Sequence, residues 1–454
     1  MRVLGGPRRL VQRHLPRSVQ PPVYIATGFI GLLTLGTVFL SLPVARTGPG
    51  GAGFVTSFFT SVSAVTVTGL STVDTATYWS GFGQVVILVL VQIGGLGIST
   101  GAALITITIF RRIGLRARLY TSTETGNIAL GDVRRIVLGV AIVTFVVEAA
   151  TAVLLTARWW FGYDESFGTS AWHGLFHSVM AFNNAGFSLY PNSLVGFASD
   201  PWILLPISGA IIFGGIGVPV LYELFGRQRR RLTLHTRVTI WMSAALLAYG
   251  MLALIVMEWT NSATLGEQST PVKILSAWFQ SVSPRSAGFN SIDYSQMRPE
   301  SWFVTDTLMF VGGGSVSTAG GIRVTTLAVL FLVLLAKARG DKDTTVGHRR
   351  LSAVLVEQAL VVTVVFAVIT LIGTLSLMAM SDADLDQSLF EVVSALGTTG
   401  LSTGLTATLD QPAQVLLSVL MFIGRVGPLT LAAAIALRER DARYRYPEGR
   451  VLVG

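Results

Sequence analysis

Residues 59–69, Phe59-TSVSAVTVT-Gly69, recur in altered form at three later places: Phe176-HSVMAFNNA-Gly186, Phe279-QSVSPRSA-Gly288 and Phe390-EVVSALGTT-Gly400. Three copies take ten steps from phenylalanine to glycine and the third takes nine. The residues that follow also match, as Leu70-Ser71, Phe187-Ser188, Phe289-Asn290 and Leu401-Ser402. Each copy is semi-apolar, too short to cross a bilayer, and flanked by apolar runs that are long enough. Such a stretch reads as a re-entrant segment, a short helix that enters the membrane and returns by the same side. A unit of helix, pore loop and helix, present four times, decides the fold.

The flanking runs number eight: roughly 23–43, 84–110, 133–157, 202–225, 236–257, 302–336, 351–380 and 412–437. Composition agrees with them. Hydrophobic residues make up 51% of the chain and charged ones 13%, more apolar surface than a soluble fold of 454 residues can hide. The net charge of +9 suggests nucleic acid only if a soluble basic face exists, and no polar segment is long enough to build one. Cysteine is absent, which removes disulfides, thiolate metal sites and thiol nucleophiles together. Arg2, Arg8, Arg9, Arg13 and Arg17 precede the first apolar run and no small-residue cleavage site follows it, so the first helix is expected to be retained.

Of the 33 Lys and Arg residues, 26 fall in segments 1–19, 111–135, 226–237, 337–350 and 438–454, all on one side of an eight-span topology. That side is expected to be cytoplasmic, with both termini there. The opposite loops hold Asp74, Asp164, Glu165, Asp200, Glu258, Glu267, Asp293, Glu300, Asp382, Asp384, Asp386 and Asp410. Two readings stand for these acids: a vestibule that concentrates cations, or side chains that keep outer loops solvated.

A short helix that stops within the membrane aims its carbonyl end, the negative pole of its macrodipole, at whatever lies beyond. Backbone carbonyls past that end can replace the hydration shell of a monovalent cation, and glycine permits the positive φ that turns them inward. A lone glycine is explained as well by close helix packing; four at matching places are not. The sixth run contains Gly312-GGSVSTAGG-Ile322, through which no stable helix passes. At membrane depth its freed amides need protein partners or a wet cavity. It lacks the GxxxxGK[ST] spacing of a phosphate-binding loop. Arg425 stands in the apolar stretch MFIGRVGPLTLA and must pair, face water or snorkel toward the inner surface near Arg438.

The segments TVTGLS, NNAGFS, RSAGFNS and GTTGLSTG, with the glycine-rich run and Arg425, resemble the Trk/Ktr/HKT superfamily of potassium transporters, closest to its KtrB-type membrane subunits. The resemblance covers nearly the whole chain. It implies an all-α membrane protein with four helix, pore-loop, helix repeats in pseudo-fourfold arrangement around a central ion pore. Expected divisions are a cytoplasmic segment 1–19, repeats at 20–115, 116–230, 231–340 and 341–438, and a tail 439–454. It implies a selectivity filter of Val67, Thr68, Gly69, Asn184, Ala185, Gly186, Ser286, Ala287, Gly288, Thr398, Thr399 and Gly400, with potassium as substrate. It also implies a gate made of Gly312, Gly313, Gly314, Ser315, Ser317, Thr318, Gly320 and Gly321, beside which Arg425 points into the cavity, repels cations and hydrogen-bonds the loop's carbonyls.

Further implications are a homodimer with the tail at its contact, a prokaryotic cell-membrane location, possible sodium dependence, no cofactor in this chain, and a cytosolic KtrA-like ring that binds the regulatory nucleotide. Glu148, Glu223 and Glu357 lie in or beside spans as relays or structural pairs. His173 and His177, four apart, have no third metal ligand nearby. No nucleophile, base and orienter set is visible, so an enzyme is not expected. The rival from another class is an alternating-access carrier coupled to sodium or protons, against which every loop emerging on the outer side argues.

Overall fold

The computed structural model describes residues 21–97, 130–225, 232–341, 343–346 and 349–437. The N-terminal segment, the far half of the second expected span, the basic loops at 111–129 and 226–231 and the C-terminal tail lie outside the described residues. The first repeat comprises Pro21–Ser41, the short Phe54–Val65 and the return helix Gly81–Gly97. The second comprises Leu130–Gly162, Phe167–Asn183 and Pro201–Ile216. The third has Leu234–Glu258, Thr270–Val282 and Pro299–Val311, which resumes after a break as Val324–Ala338. The fourth has Ala353–Met380, Leu385–Leu396 and Gln411–Leu437.

Among the described residues, Leu138–Gly162, Leu234–Glu258 and Ala353–Met380 are each long and apolar enough to cross a membrane, with mean hydropathy of 2.3, 2.1 and 2.6. They expose Val153, Val256 and Leu371 outward, as a hydrocarbon environment requires. The short helices are built differently. At about 1.5 Å per residue a 12-residue helix such as Phe54–Val65 reaches only part of the way across a core about 30 Å thick. Phe59, Phe176, Phe279 and Phe390 are wholly buried within these helices, which begin a turn or more earlier than the sequence match suggests.

Matching contacts hold the short helices to the long ones. Ser61 Oγ donates to Leu33 O at 2.9 Å, and Ser281 Oγ to Leu247 O at 2.6 Å. A Cβ on Gly36 would strike Ser61 Oγ, and one on Gly250 would lie 3.1 Å from Ser281 Oγ, so a glycine on each long helix admits the serine.

The structure refines one expected span and the reading of two outer acids. The run 202–225 is not one straight helix: Pro201–Ile216 and Val218–Phe225 meet at 106°. Gly217 between them has φ +101° and cannot continue a helix. Its freed neighbours bond instead to the glycine-rich run, with Val218 N donating to Val316 O at 3.1 Å and Gly314 N to Gly215 O at 2.8 Å. The outer acids, too, are not uniformly an exposed set. Asp200 is buried, accepting from Arg158 Nε at 2.6 Å, Tyr163 Oη at 3.0 Å and Trp202 N at 2.9 Å. Glu258 is fully buried, accepting from Asn261 Nδ2 at 2.7 Å, Thr264 Oγ1 at 2.6 Å, Arg298 N at 2.9 Å and the Ser301 hydroxyl. These two carboxylates tie loops to helix ends, because a buried charge is tolerated only when its lone pairs are satisfied.

Candidate ion pathway

Each short helix ends in a turn of unusual backbone. Val67, Asn184, Ser286 and Thr398 all have positive φ, at 56°, 60°, 83° and 47°, and all stand two residues before the glycine of their repeat. The glycines follow suit, with φ of 90° at Gly69, 66° at Gly186, 77° at Gly288 and 95° at Gly400. For β-branched Val67 and Thr398 this conformation is costly and persists only where the surroundings impose it.

In repeats one, two and four the imposing element is a Schellman closure. Thr68 N donates to Ser63 O at 2.8 Å and Val67 N to Ala64 O at 3.1 Å; Ala185 and Asn184 repeat the pattern on Met180 and Ala181, as do Thr399 and Thr398 on Ser394 and Ala395. The third repeat, one residue shorter, closes instead through Ala287 N to Ser283 O at 2.8 Å. The glycine thereby reaches the same level despite the missing step. Ser63 and Ser394 also accept from the amides of Gly69 and Gly400, at 3.0 and 3.1 Å.

These turns meet in a ring. A Cβ placed on Gly69 would strike Ala185 O, one on Gly288 would strike Thr399 O, and one on Gly400 would strike Thr68 O; on Gly186 it would lie 3.0 Å from Ala287 O. Each glycine therefore abuts the carbonyl just before the glycine of the next repeat, in the order one, two, three, four and back to one. All twelve residues predicted for the filter fall in these four segments. Leu70, Phe187, Phe289 and Leu401, just past the glycines, are buried and anchor the ring from behind rather than forming an exposed mouth.

Beside the ring on repeat four, Glu391 is wholly buried and accepts from Ser402 Oγ at 2.7 Å, Thr403 N at 2.9 Å, Thr403 Oγ1 at 3.1 Å and Thr406 Oγ1 at 2.5 Å. It fixes the loop that follows Gly400, a role that sequence inspection missed.

The glycine-rich run lies against the ring. Asn184 Nδ2 donates to Thr318 Oγ1 at 3.1 Å, and Thr318 Oγ1 donates to Phe182 O at 3.2 Å. Gly320 N donates to Ser286 Oγ at 2.8 Å, and a Cβ on Gly320 would strike Thr398 Oγ1. Gly312 and Gly321 adopt φ of 65° and 76°, so the segment turns back on itself; a Cβ on Gly312 would strike Gly320 O. Ser317 Oγ donates to Gly314 O at 2.7 Å, and Ser315 Oγ lies 2.7 Å from Thr325 Oγ1. A Cβ on Gly313 would lie 2.7 Å from Gly215 O, which presses the run against the broken helix of repeat two.

The arginines are placed differently from the sequence expectation. Arg425 is buried, and its Nη1 donates to Thr398 Oγ1 at 3.4 Å, not to a carbonyl of the glycine-rich run. The carbonyls belong to Arg323, whose Nη1 donates to Ala319 O and reaches Gly314 O and Ser317 Oγ at 3.4 Å. Arg285, also buried, donates from Nε to Gly312 O at 3.3 Å and from Nη2 to Ser243 Oγ at 3.0 Å. Arg323 and Arg425 are close enough for their charges to repel. The sequence signal was a guanidinium inside RSAG, Arg285, and another directly after the glycine-rich run, Arg323.

The remaining candidates are placed as follows. Glu148 is buried, accepting from Gln92 Nε2 at 3.2 Å and Asn183 Nδ2 at 3.0 Å, directly behind Asn184. Glu223 accepts from Thr233 N at 2.6 Å and Thr233 Oγ1 at 2.9 Å, and Glu357 is exposed. His173 Nδ1 lies 2.9 Å from Tyr190 Oη, and His177 Nε2 lies 3.0 Å from Ser188 Oγ. Among the described residues no group of three metal-ligating side chains occurs.

The family described as TrkH, a cation transport protein, matches residues 22–445. The Ktr system potassium uptake protein B of Bacillus subtilis is 39% identical over 96% of this chain and 97% of its own length. Its counterpart in Vibrio alginolyticus is 36% identical over 95% of each. The potassium/sodium uptake protein NtpJ of Enterococcus hirae is 31% identical over 98% of this chain and 100% of its own. The crystal structure of the potassium transporter TrkH from Vibrio parahaemolyticus superimposes with a TM-score of 0.73 at 19% identity, covering 94% of this chain and 87% of that one, which is evidence on fold. A four-repeat helical membrane fold, a matching ring of re-entrant turns and these full-length likenesses agree: the chain belongs to the TrkH family of cation transport proteins.

Proposed function

We propose that this chain is the potassium-translocating membrane subunit of a Ktr/Trk-type uptake system. The observation that carries the reading is the closed ring in which each of Gly69, Gly186, Gly288 and Gly400 abuts a backbone carbonyl of the next repeat. Neutral carbonyls at short spacing suit a weakly hydrated monovalent cation, and multivalent ions need carboxylates that the ring lacks. Val67, Thr68, Asn184, Ala185, Ser286, Ala287, Thr398 and Thr399 complete the filter. Because it packs against the ring, the Gly312–Gly321 segment is the gate. Arg425 and Arg323 hold a positive field at its level, Arg323 by bonding the segment itself and Arg425 by bonding the threonine on which Gly320 rests.

The chain acts as a homodimer in a prokaryotic cell membrane with both termini cytoplasmic, and a KtrA-like nucleotide-binding ring docks on its basic inner face. Support for a partner comes from the Bacillus subtilis and Vibrio alginolyticus relatives, each a protein B of a Ktr system and so one component among others. Rubidium uptake into proteoliposomes, with and without a sodium gradient, tests the reading. Uptake that rubidium and potassium compete for, and that Gly288→Asp abolishes, is the expected result. Normal uptake by that variant would remove the ring from the ion path.

A further inference from the structure

The Ser286 side chain touches the filter of a neighbouring repeat and the gate segment at once. Its hydroxyl accepts from Gly320 N at 2.8 Å and donates to Thr398 O at 2.9 Å. Ser286 and Thr398 are fully buried, so neither bond competes with bulk water. A hydroxyl has one proton. With an amide N–H filling an acceptor position, that proton is directed at the Thr398 carbonyl.

Thr398 is a β-branched residue at φ 47°, a conformation it leaves if unrestrained. Its carbonyl is the only one of the four equivalent carbonyls (Val67, Asn184, Ser286, Thr398) to accept a side-chain hydrogen bond among the described residues. A carbonyl bonded to a serine offers less to an ion than one left free. The number of oxygens an ion meets at this level therefore depends on a hydroxyl whose orientation depends on the gate.

We propose that Ser286 is a specificity-determining residue that couples ion selectivity to gate position. While the gate segment is seated, Gly320 N fixes the Ser286 hydroxyl and Ser286 holds Thr398 O. When the segment withdraws, the hydroxyl is free to turn and the strained Thr398 unit relaxes, which changes the carbonyl set presented to the ion. Carbonyl number and field strength set the preference between potassium and sodium, so the seated and withdrawn states discriminate differently. The inference rests on the filter and gate assignments above and deepens them.

The test is a cycle on the full-length protein in proteoliposomes, reading the ratio of initial rubidium to sodium uptake. Ser286→Gly removes the hydroxyl at φ 83°, where glycine is at ease, so the turn itself is kept. Shortening the gate segment by deleting residues 315–319 displaces Gly320 N. Each change is expected to shift the ratio by about threefold, the factor of one weak hydrogen bond, in the same direction, and the double variant is expected to match either single one. Ser286→Ala, which keeps Cβ, is expected to reproduce Ser286→Gly and guards against a mere loss of packing. Shifts that multiply in the double variant, or a Ser286→Gly ratio equal to that of the intact chain, would overturn the coupling. Failure of the underlying reading looks different: the intact chain would not discriminate rubidium from sodium at all, or Gly288→Asp would transport normally.

Discussion

Gly69 and Ala185 meet across a repeat boundary so closely that no side chain fits on the glycine without striking the alanine's carbonyl oxygen. Gly69 also has φ of 90°, so any replacement combines a clash with backbone strain. Gly69→Ala is expected to cut rubidium uptake at least tenfold or to degrade its preference over sodium, as measured in proteoliposomes. Equal flux and an unchanged ratio would mean that the ring relaxes around the methyl group and does not set the path.

Gate strength is expected to depend on Gly217. Its φ of 101° belongs to a region that costs other residues about 1–3 kcal/mol, and a Cβ there would strike Ser315 O. Gly217→Ala pushes on the glycine-rich segment from repeat two without touching the filter, and the expected outcome is faster uptake, with any change in the rubidium-to-sodium ratio in the direction that deleting residues 315–319 produces. A rate like that of the unmodified chain would show that the segment does not obstruct flow.

Arg425→Ala removes a buried charge and its bond to Thr398 Oγ1. Uptake is expected to rise and to depend less on the proposed cytosolic partner, while pull-down of that partner stays the same. Arg323→Ala is expected to raise uptake further, since its side chain bonds the segment directly. An order reversed between the two would return the main role to Arg425.

Glu391 collects four donors from the loop behind Gly400. Truncation to alanine leaves those donors unsatisfied, at about 1–3 kcal/mol for the group. Glu391→Ala is expected to lower the thermal midpoint in detergent and to blunt ion discrimination, with Glu391→Gln intermediate. A midpoint shift with intact discrimination would confine the carboxylate to stability.

Much of this arrangement was legible in the residues. The Phe-to-Gly step is visible because helix length and glycine conformation are local properties, and the glycine-rich interruption announces itself by composition. The bend at Gly217 was hidden, because an apolar run from Pro201 to Phe225 has the same hydropathy whether straight or folded. Arg425 was located correctly as a buried charge, but its partner was misjudged, since a guanidinium's bond depends on which repeat stands opposite. Arg323 and Arg285 were overlooked for the converse reason: each sits beside a motif whose glycines drew the reading, and only the fold shows which carbonyls their side chains reach. Asp200 and Glu258 illustrate the ambiguity of loop acids, which count as surface charge until a neighbouring helix end is seen to wrap them.

The abutment of Gly400 on Thr68 joins the last repeat to the first. A nascent chain can insert its early helices and close their turns one by one, but the circle stays open until Gly400 has left the ribosome and found Thr68. Biosynthesis thus withholds an ion path from every partial product, and a chain stopped before Leu385 is expected to reside in the membrane and conduct nothing.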